Sequence, residues 1–341
     1  MTSDFHPSRS VVIWLWAGIV LILIMVIIGG MTRLTHSGLS MVHWTFHGSL
    51  PPMDQATWMS EFERYQQSPE FKEVHSHFTV EEFKSIYWWE FGHRMFGRMI
   101  GMVFLIPFGL FLWKKKIPKK MLPKFLIILG LGAFQALLGW FMVKSGLIDV
   151  PRVSHYRLAA HLVTAFITCA YILWVTLDYQ QFGKQITKSS LSKTPLIVFG
   201  AMLILQIIFG GFVAGLRAGW IHNTWPLMDG EIISSAAIAM DPLVMNFLEG
   251  RSGVQFVHRT LGFIVMGYAL WLWLGSKLGK SEALKMPVKL LAAAVLTQFI
   301  LGVSTLLLEV PTSLAVVHQV FALVTLLSAT WLLHRSYYQL E

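Results

Sequence analysis

The stretch Trp88-Trp89-Glu90-Phe91-Gly92-His93-Arg94-Met95-Phe96-Gly97-Arg98 places a carboxylate, an imidazole and two guanidinium groups inside an otherwise apolar run. Charged side chains next to hydrocarbon are costly and usually mark a cofactor, a pathway or a partner. Glu90 and His93 are three residues apart and His93 and Gly97 are four apart, so a helix presents all three on one face. Gly97 leaves room for a flat ligand near the backbone, and His93 is a natural metal ligand beside it.

The composition around this stretch is that of a membrane protein. Of 341 residues, 55% are hydrophobic and only 13% are charged, and the mean hydropathy is +0.59. These values predict an all-α polytopic membrane protein, because a transmembrane barrel would show short alternating strands instead. The apolar segments long enough to span a bilayer are residues 11–31, 86–112, 122–143, 155–178, 194–214, 254–275, 286–308 and 312–334.

The net charge of +9 is concentrated in particular loops, which argues against nucleic acid as a partner. By the positive-inside rule these loops are cytoplasmic, and so are both termini. The lysines concerned are Lys114, Lys115, Lys116, Lys119, Lys120 and Lys124 after segment two, Lys184, Lys188 and Lys193 after segment four, and Lys277, Lys280, Lys285 and Lys289 after segment six.

The chain has one cysteine, Cys169, so no intrachain disulfide can form. The first ten residues carry no Arg-rich amphipathic pattern, and no clear cleavage site follows segment one. We therefore expect a retained anchor and a multi-pass protein of the bacterial inner membrane.

The second half of the chain repeats the pattern of the first. Four segments separate the copies, and because this number is even, the copies share one orientation. The repeat predicts two pseudo-symmetric four-helix bundles related by an axis along the membrane normal. The expected parts are a cytoplasmic N-terminus (1–10), an N-terminal half (11–178), a linker (179–193), a C-terminal half (194–335) and a tail (336–341). The matched positions are Glu90 and Gln255, His93 and His258, Arg94 and Arg259, Gly97 and Gly262, Gln135 and Gln298, Gly139 and Gly302, His161 and His318, and Ala165 and Ala322.

The four matched histidines lie one to two turns into helices that all start outside, so we expect them at similar depth. His93 can face His161, and His258 can face His318, which is the arrangement that bis-histidine haem ligation requires. A lone histidine on such a face is more often a satisfied core residue, but four at matched positions favour haem. Zinc fits less well, because it usually takes three or four clustered ligands. The histidines in external loops are interpreted as solvated: His36, His43, His47, His75, His77 and His222.

Charged neighbours of the histidines suggest roles of their own. Arg94 and Arg259 could pair with haem propionates or could reach the external interface as solvated side chains. Glu90 has Gln255 as its counterpart, and two equivalent haem sites would not need this difference. We therefore expect the first half to carry a reaction, with a structural pairing of Glu90 and Arg94 as the alternative.

The chain resembles the haem A synthase family of the type found in alphaproteobacteria and mitochondria. The resemblance covers almost the whole chain, except that an external cysteine pair found in one branch of the family is absent. The motifs that carry it are Thr32-Arg33-Leu34-Thr35, Ser37-Gly38-Leu39-Ser40, Glu90-Phe91-Gly92-His93-Arg94, Tyr156-Arg157-Leu158-Ala159-Ala160-His161, Asn223-Thr224-Trp225-Pro226-Leu227-Met228, Gln255-Phe256-Val257-His258-Arg259 and His318-Gln319.

The resemblance implies an oxidoreductase that oxidises a ring methyl of haem O twice, through an alcohol and a hydrated aldehyde, to the formyl group of haem A. It implies that His258 and His318 ligate a haem b cofactor. His93 and His161 would hold the substrate haem beside Glu90, which could stabilise positive charge or position water. Expected partners are haem O, a membrane-bound haem O synthase (farnesyltransferase), cytochrome oxidase assembly factors and the lipid bilayer.

Two other functions are compatible with parts of the pattern. A non-enzymatic dihaem electron-transfer cytochrome would need only the paired histidines, and the contrast between Glu90 and Gln255 argues against it. A parallel-repeat transporter would need broken helices or a polar ion site, which the pattern does not clearly show. The sequence leaves open whether the chain forms homo-oligomers.

Overall fold

The computed structural model describes residues 5–42, 50–146, 153–183, 187–188, 192–278 and 280–339. Within these ranges, eight helices are long and apolar enough to cross a membrane. The α-helices are α1 (Arg9–Leu34), α2 (Gln55–Gln66), α3 (Pro69–Glu73), α4 (Val80–Trp113), α5 (Leu122–Gly146), α6 (His155–Gln181), α7 (Thr194–Gly215), α8 (Val244–Leu248), α9 (Arg251–Leu274), α10 (Lys285–Leu307) and α11 (Thr312–Tyr337), and two short strands, β1 (Thr187–Lys188) and β2 (Tyr338–Gln339), pair antiparallel.

The eight predicted segments are confirmed, and the largest difference lies at the start of α4. This helix begins at Val80 rather than near residue 86, because Thr79 and Glu82 form a capping box. The Thr79 side chain accepts a hydrogen bond from the Glu82 amide, and the Glu82 carboxylate accepts one from the Thr79 amide. The helix therefore extends more than one turn beyond the apolar segment, on the side where the external loop enters.

Four of the long helices lie at the centre of the molecule and four at its edge. Helix α1 packs against α4, α6 and α11, while α7 packs against α6, α9 and α11. Helices α4, α5, α9 and α10 bury less of their surface and are the peripheral ones. One buried apolar cluster includes residues from all eight long helices, for example Leu15 of α1 and Leu323 of α11. The two halves are therefore joined by a common core.

The described parts of the lysine-rich loops and both ends of the described chain lie at one end of the bundle. The Tyr179 hydroxyl at the end of α6 donates to the Lys116 carbonyl and accepts from the Ser8 amide, at 2.8 and 3.0 Å. Nearby, the Asp178 carboxylate pairs with Lys124 at 2.5 Å and with His334 of α11 at 3.0 Å. We call this end the Lys-rich face, and the other end the opposite face.

The opposite face carries the longer connections, including α2 and α3. A second apolar cluster there joins α2 to the start of α4 through Trp58, Phe62, Tyr65, Phe83 and Tyr87, and Phe71 of α3 packs against it. The described parts of the connection between α1 and α4 therefore pack against the end of α4 that carries Glu90.

Candidate functional site

Each of the four repeat-matched histidines contacts a glycine on the preceding long helix. A Cβ atom added at Gly29 would lie 3.3 Å from His93 Nε2, and one at Gly139 would lie 3.1 Å from His161 Cε1. In the second half the same distances are 3.2 Å from Gly210 to His258 Cε1 and 2.9 Å from Gly302 to His318 Cε1. The imidazole rings therefore occupy space that any larger residue at these glycines would fill.

The structure places each histidine within electrostatic range of its predicted partner, His93 near His161 and His318 near His258. Their pairing around a haem stays a prediction. Each pair joins a peripheral helix to a central one, α4 to α6 and α9 to α11. In both halves a matched glutamine approaches the inner histidine, Gln135 Nε2 at 3.3 Å from His161 Nε2 and Gln298 Nε2 at 3.5 Å from His318 Nε2.

The residues around the pairs suit a haem better than a bare metal ion. The Nδ1 atoms of His161, His258 and His318 are buried without a hydrogen-bond partner in the described chain, and buried polar atoms normally have one. No group of three or more His, Cys, Asp or Glu side chains suited to a metal ion occurs among the described residues. Two histidines alone do not complete a zinc site, whereas a porphyrin supplies the remaining equatorial ligands of iron.

Glu90 is 2% exposed and fastens the loop that follows α1. Its carboxylate accepts hydrogen bonds from the Ser40 hydroxyl at 2.8 Å and the Met41 amide at 2.6 Å. The Arg94 guanidinium completes the cluster by pairing with the second carboxylate oxygen and donating to the Met41 carbonyl at 3.0 Å. A buried carboxylate is tolerated here because both of its oxygens are paired with donors.

The matched residues in the second half fasten the loop that follows α7. Gln255 Nε2 donates to the Ile221 carbonyl at 2.6 Å. Arg259 donates to the carbonyls of Thr224, Pro226 and Leu227 at 2.9 to 3.1 Å. The pairs Glu90–Arg94 and Gln255–Arg259 therefore bind corresponding loops at the opposite face.

These contacts supply a structural reason for the difference between Glu90 and Gln255. The loop after α1 presents an N–H and an O–H, which need an acceptor, whereas the loop after α7 presents a carbonyl, which needs a donor. A catalytic role for Glu90 stays a prediction, because the hydrogen bonds explain the residue types without excluding chemistry. The pairing of Arg94 and Arg259 with propionates stays a prediction too.

Some contacts differ from what local spacing indicated. A Cβ at Gly97 would lie 3.3 Å from Met25 Cε of α1, so this glycine makes room for a helix contact. Spacing along one helix missed Gly29 and Gly210, although the Gly-Gly pair at 29–30 and again at 210–211 was a visible repeat. The reason for a glycine at these positions becomes clear only when the side chain of the facing helix is known.

The prediction that the loop histidines are solvated is wrong for His36, His75 and His222. His36 is partly buried, and its Nδ1 lies 3.2 Å from the Arg217 guanidinium. His75 is 6% exposed, and its Nδ1 lies 2.6 Å from the Tyr65 hydroxyl. His222 contacts the Asp229 carboxylate at 2.5 Å and the Ser252 hydroxyl at 2.9 Å. His77 is exposed, and the positions of His43 and His47 lie outside the described residues.

Comparison of the sequence with known proteins identifies the family of this chain. Residues 12–330 match the model of the family described as cytochrome oxidase assembly protein. The haem A synthase of Flavobacterium psychrophilum is 49% identical over 334 residues, which cover 96% of this chain and 98% of the relative. The haem A synthases of Flavobacterium johnsoniae (47%; 96% of this chain, 98% of the relative) and of the alphaproteobacterium Wolbachia pipientis (42%; 96% and 93%) match over similar lengths. The chain therefore belongs to the cytochrome oxidase assembly protein family and is similar over nearly its full length to haem A synthases.

Proposed function

We propose that this protein is a haem A synthase, an oxidoreductase that converts a ring methyl group of haem O into the formyl group of haem A by two successive hydroxylations. The observation that carries the proposal is the pair of histidines in each half, four glycine-backed imidazoles in a chain that belongs to this family. The methyl group and one water molecule give the formyl group, four protons and four electrons, and an external electron acceptor takes up the electrons.

The two halves are assigned different haems. His258 and His318, with Arg259, are proposed to hold a haem b cofactor in the second half, where the iron supplies one-electron chemistry. His93 and His161, with Arg94, are proposed to hold haem O as substrate in the first half. The assignment follows the resemblance. It is consistent with the buried carboxylate of Glu90 in the first half, whose counterpart in the second half is the neutral Gln255.

Glu90 is the proposed catalytic residue. Its carboxylate lies three residues, about one helical turn, from His93 on the same helix, and Ser40, Met41 and Arg94 hold its position. A fixed negative charge at this place can stabilise positive charge that develops next to the oxidised methyl carbon, or orient the water that supplies oxygen.

The two four-helix units, residues 11–178 and 194–335 joined by 179–193, are proposed to be related by pseudo-two-fold symmetry. Matching helix contacts support this, since α1 packs on α4 as α7 packs on α9, and α5 packs on α6 as α10 packs on α11. The Lys-rich face is proposed to be cytoplasmic, with both termini on that side of the bacterial inner membrane. The haems then lie toward the outer face, and the farnesyl tail of haem O extends into lipid.

The partners follow from this chemistry. The substrate is proposed to arrive through the bilayer from a membrane-bound haem O synthase, a farnesyltransferase, and the product to pass to cytochrome oxidase assembly factors. Homo-oligomer formation is not required by the proposal, because each histidine pair lies within one chain.

Haem extraction tests the reaction directly. Membranes from cells that make haem O, with and without this protein, are extracted, and the haems are separated by chromatography. Haem A is expected only where the protein is present, together with a low-spin haem b signal in the purified protein. A purified protein that binds haem b but forms no haem A would favour the electron-transfer cytochrome.

Labelling of single cysteines tests the orientation. In a Cys169→Ser background, His77→Cys and Ser235→Cys are expected to react with an impermeant thiol reagent on intact cells, because both positions are exposed at the opposite face. Lys115→Cys, exposed at the Lys-rich face, is the matched control and is expected to stay protected. The reverse pattern contradicts the orientation and places the haems on the cytoplasmic side.

A further inference from the structure

The ends of α1 and α7 meet at the opposite face through two hydrogen bonds. The Arg33 guanidinium donates to the Ala214 carbonyl, and the Arg217 guanidinium lies 3.2 Å from His36 Nδ1. The Gly-Gly pairs at 29–30 and 210–211 occupy matched positions. Arg33 follows Gly29 by four residues, as Ala214 follows Gly210, and His36 follows Gly29 by seven, as Arg217 follows Gly210. Each bond therefore joins matched positions of the two halves, which places these residues at the boundary between the halves.

The backbone supports this match. His36 and Arg217 both adopt the left-handed conformation, with φ of 55° and 54°, so the chain turns in the same way after α1 and after α7. Non-glycine residues adopt this conformation uncommonly, and two at matched positions indicate a shared local structure.

Positive charge accumulates at this boundary. Arg33 contacts Ala214, three residues before Arg217, and Arg217 contacts His36, three residues after Arg33, so the two guanidinium groups lie at the same place. No carboxylate within 4.0 Å pairs with either guanidinium in the part of the chain that the structure describes. Burial and the charge of Arg217 lower the pKa of His36 to about 4, so this imidazole is neutral at neutral pH and accepts from Arg217. Two like charges held close together without an anion are unfavourable.

Both arginines lie beside the two histidine pairs. Gly29 precedes Arg33 by four residues on the same helix face and contacts His93, while Gly210 precedes Ala214 in the same way and contacts His258. One helical turn advances about 5.4 Å. Arg33 and the Ala214 carbonyl that it contacts therefore lie about one turn beyond Gly29 and Gly210, toward the opposite face, and Arg217 follows Ala214 by three residues.

Arg94 and Arg259 are proposed above to help hold the haems, and loop groups already occupy part of each guanidinium. Arg94 holds Glu90 and the Met41 carbonyl, and Arg259 holds three loop carbonyls. Arg33 and Arg217 each make one of these boundary hydrogen bonds, and a guanidinium has five N–H donors. Their remaining donors suit a carboxylate, which a guanidinium binds with two parallel hydrogen bonds.

We propose that Arg33 and Arg217 form a carboxylate site shared by the two halves, which binds propionate groups of the haems held by the histidine pairs. This inference rests on the proposed function, because the carboxylates belong to the haems. Carboxylates bound there would neutralise the boundary charge, with Arg33 contributed by the first half and Arg217 by the second.

A redox titration tests the site on the full-length protein, purified in detergent with haem b bound. Reduction adds a negative charge to the haem, and a nearby cation stabilises the reduced form. The variants Arg33→Gln and Arg217→Asn are expected to lower the midpoint potential of haem b by up to the equivalent of a tenfold change in the equilibrium, about 59 mV for one electron. Asparagine is used at position 217 because it tolerates the left-handed conformation. The propionate bending modes in resonance Raman spectra should shift as well.

Controls separate charge from folding. Arg33→Lys and Arg217→Lys keep the cation and should recover most of the potential. Arg9→Gln removes one charge from the other, exposed end of α1 and should leave the potential and the propionate modes unchanged.

Two outcomes overturn the inference. Haem-loaded Arg33→Gln and Arg217→Asn proteins with wild-type potentials and propionate modes contradict the shared site and leave the proposed function standing. A wild-type protein that takes up no haem contradicts the proposed function and this inference together. If Arg33→Gln does not fold, the Arg217→Asn measurement decides, because Arg217 is exposed.

Discussion

Replacement of Glu90 by glutamine removes one negative charge from a buried site with little change in volume. The carboxylate accepts from the Ser40 hydroxyl at 2.8 Å, from the Met41 amide at 2.6 Å and from Arg94. An amide has only one acceptor oxygen, so its NH₂ group must face one of these donors. The variant therefore loses a charged partner of Arg94 and leaves one buried donor unsatisfied.

The structural effect of this change is a loss of stability at the loop, whereas the catalytic effect is a loss of haem A formation. Breaking a buried ion pair costs about 3–5 kcal/mol, and the loss here loosens the loop around Ser40 and Met41. If Glu90 also stabilises charge in the transition state, haem A formation should fall about 100- to 1,000-fold, as when a preorganised group is removed elsewhere. The second effect should appear in protein that is still folded and loaded with haem b.

The assay is single-turnover conversion of haem O by purified protein, followed by haem chromatography, with haem b content as the measure of folding. Ser40→Ala is the matched control, because it removes one hydrogen bond to Glu90 and keeps the carboxylate. That loss is worth about 1 kcal/mol, so turnover should change by no more than about fivefold. Gln255→Glu is the control in the second half, where a carboxylate would face the Ile221 carbonyl.

Two results would refute the reasoning. Wild-type turnover in folded Glu90→Gln protein removes Glu90 from the chemistry. Equal losses in Glu90→Gln and Ser40→Ala show that loop anchoring, rather than the charge, limits the reaction.

Three further changes test the site and its surroundings. His258→Ala and His318→Ala should each abolish the same low-spin haem signal, because six-coordinate iron needs both ligands; an unchanged spectrum in either folded variant rules out the pairing. Gly302→Ala places a Cβ 2.9 Å from His318 Cε1 and should displace the ring at a cost of about 1–3 kcal/mol in stability, whereas Gly130→Ala, with nothing within 4 Å, should leave the haem spectrum unchanged. Burial and the charge of Glu90 raise the pKa of Glu70 from 4.5 to about 8. Protonated Glu70 therefore stabilises α2 and α3. This stabilisation is complete below the pKa that Glu70 has in the unfolded chain, and it is lost as the pH rises through about 8. Hydrogen exchange of these helices, corrected for intrinsic rates, should show this loss in the wild type and little pH dependence in Glu70→Gln.

The sequence alone determined the number of membrane helices and most of their ends. Hydrophobic length is a local property, so the position of α5 (Leu122–Gly146) was predictable without any knowledge of neighbours, whereas apolar length alone placed the start of α4 near residue 86 rather than at Val80. The matched histidines were also visible, because a repeat of four helices preserves orientation and depth. The predicted pairing of His93 with His161 and of His258 with His318 rests on that symmetry.

The tertiary structure decided what each side chain contacts across helices. The anchoring of residues 40–41 by Glu90, the burial of His75 and the glycines behind the imidazoles all depend on which faces of distant segments pack together. The meeting of Arg33 with Ala214 joins residues 181 positions apart. Periodicity along one helix reports which residues share a face, but the partner of that face is set by the packing of all eight helices, which no local pattern encodes.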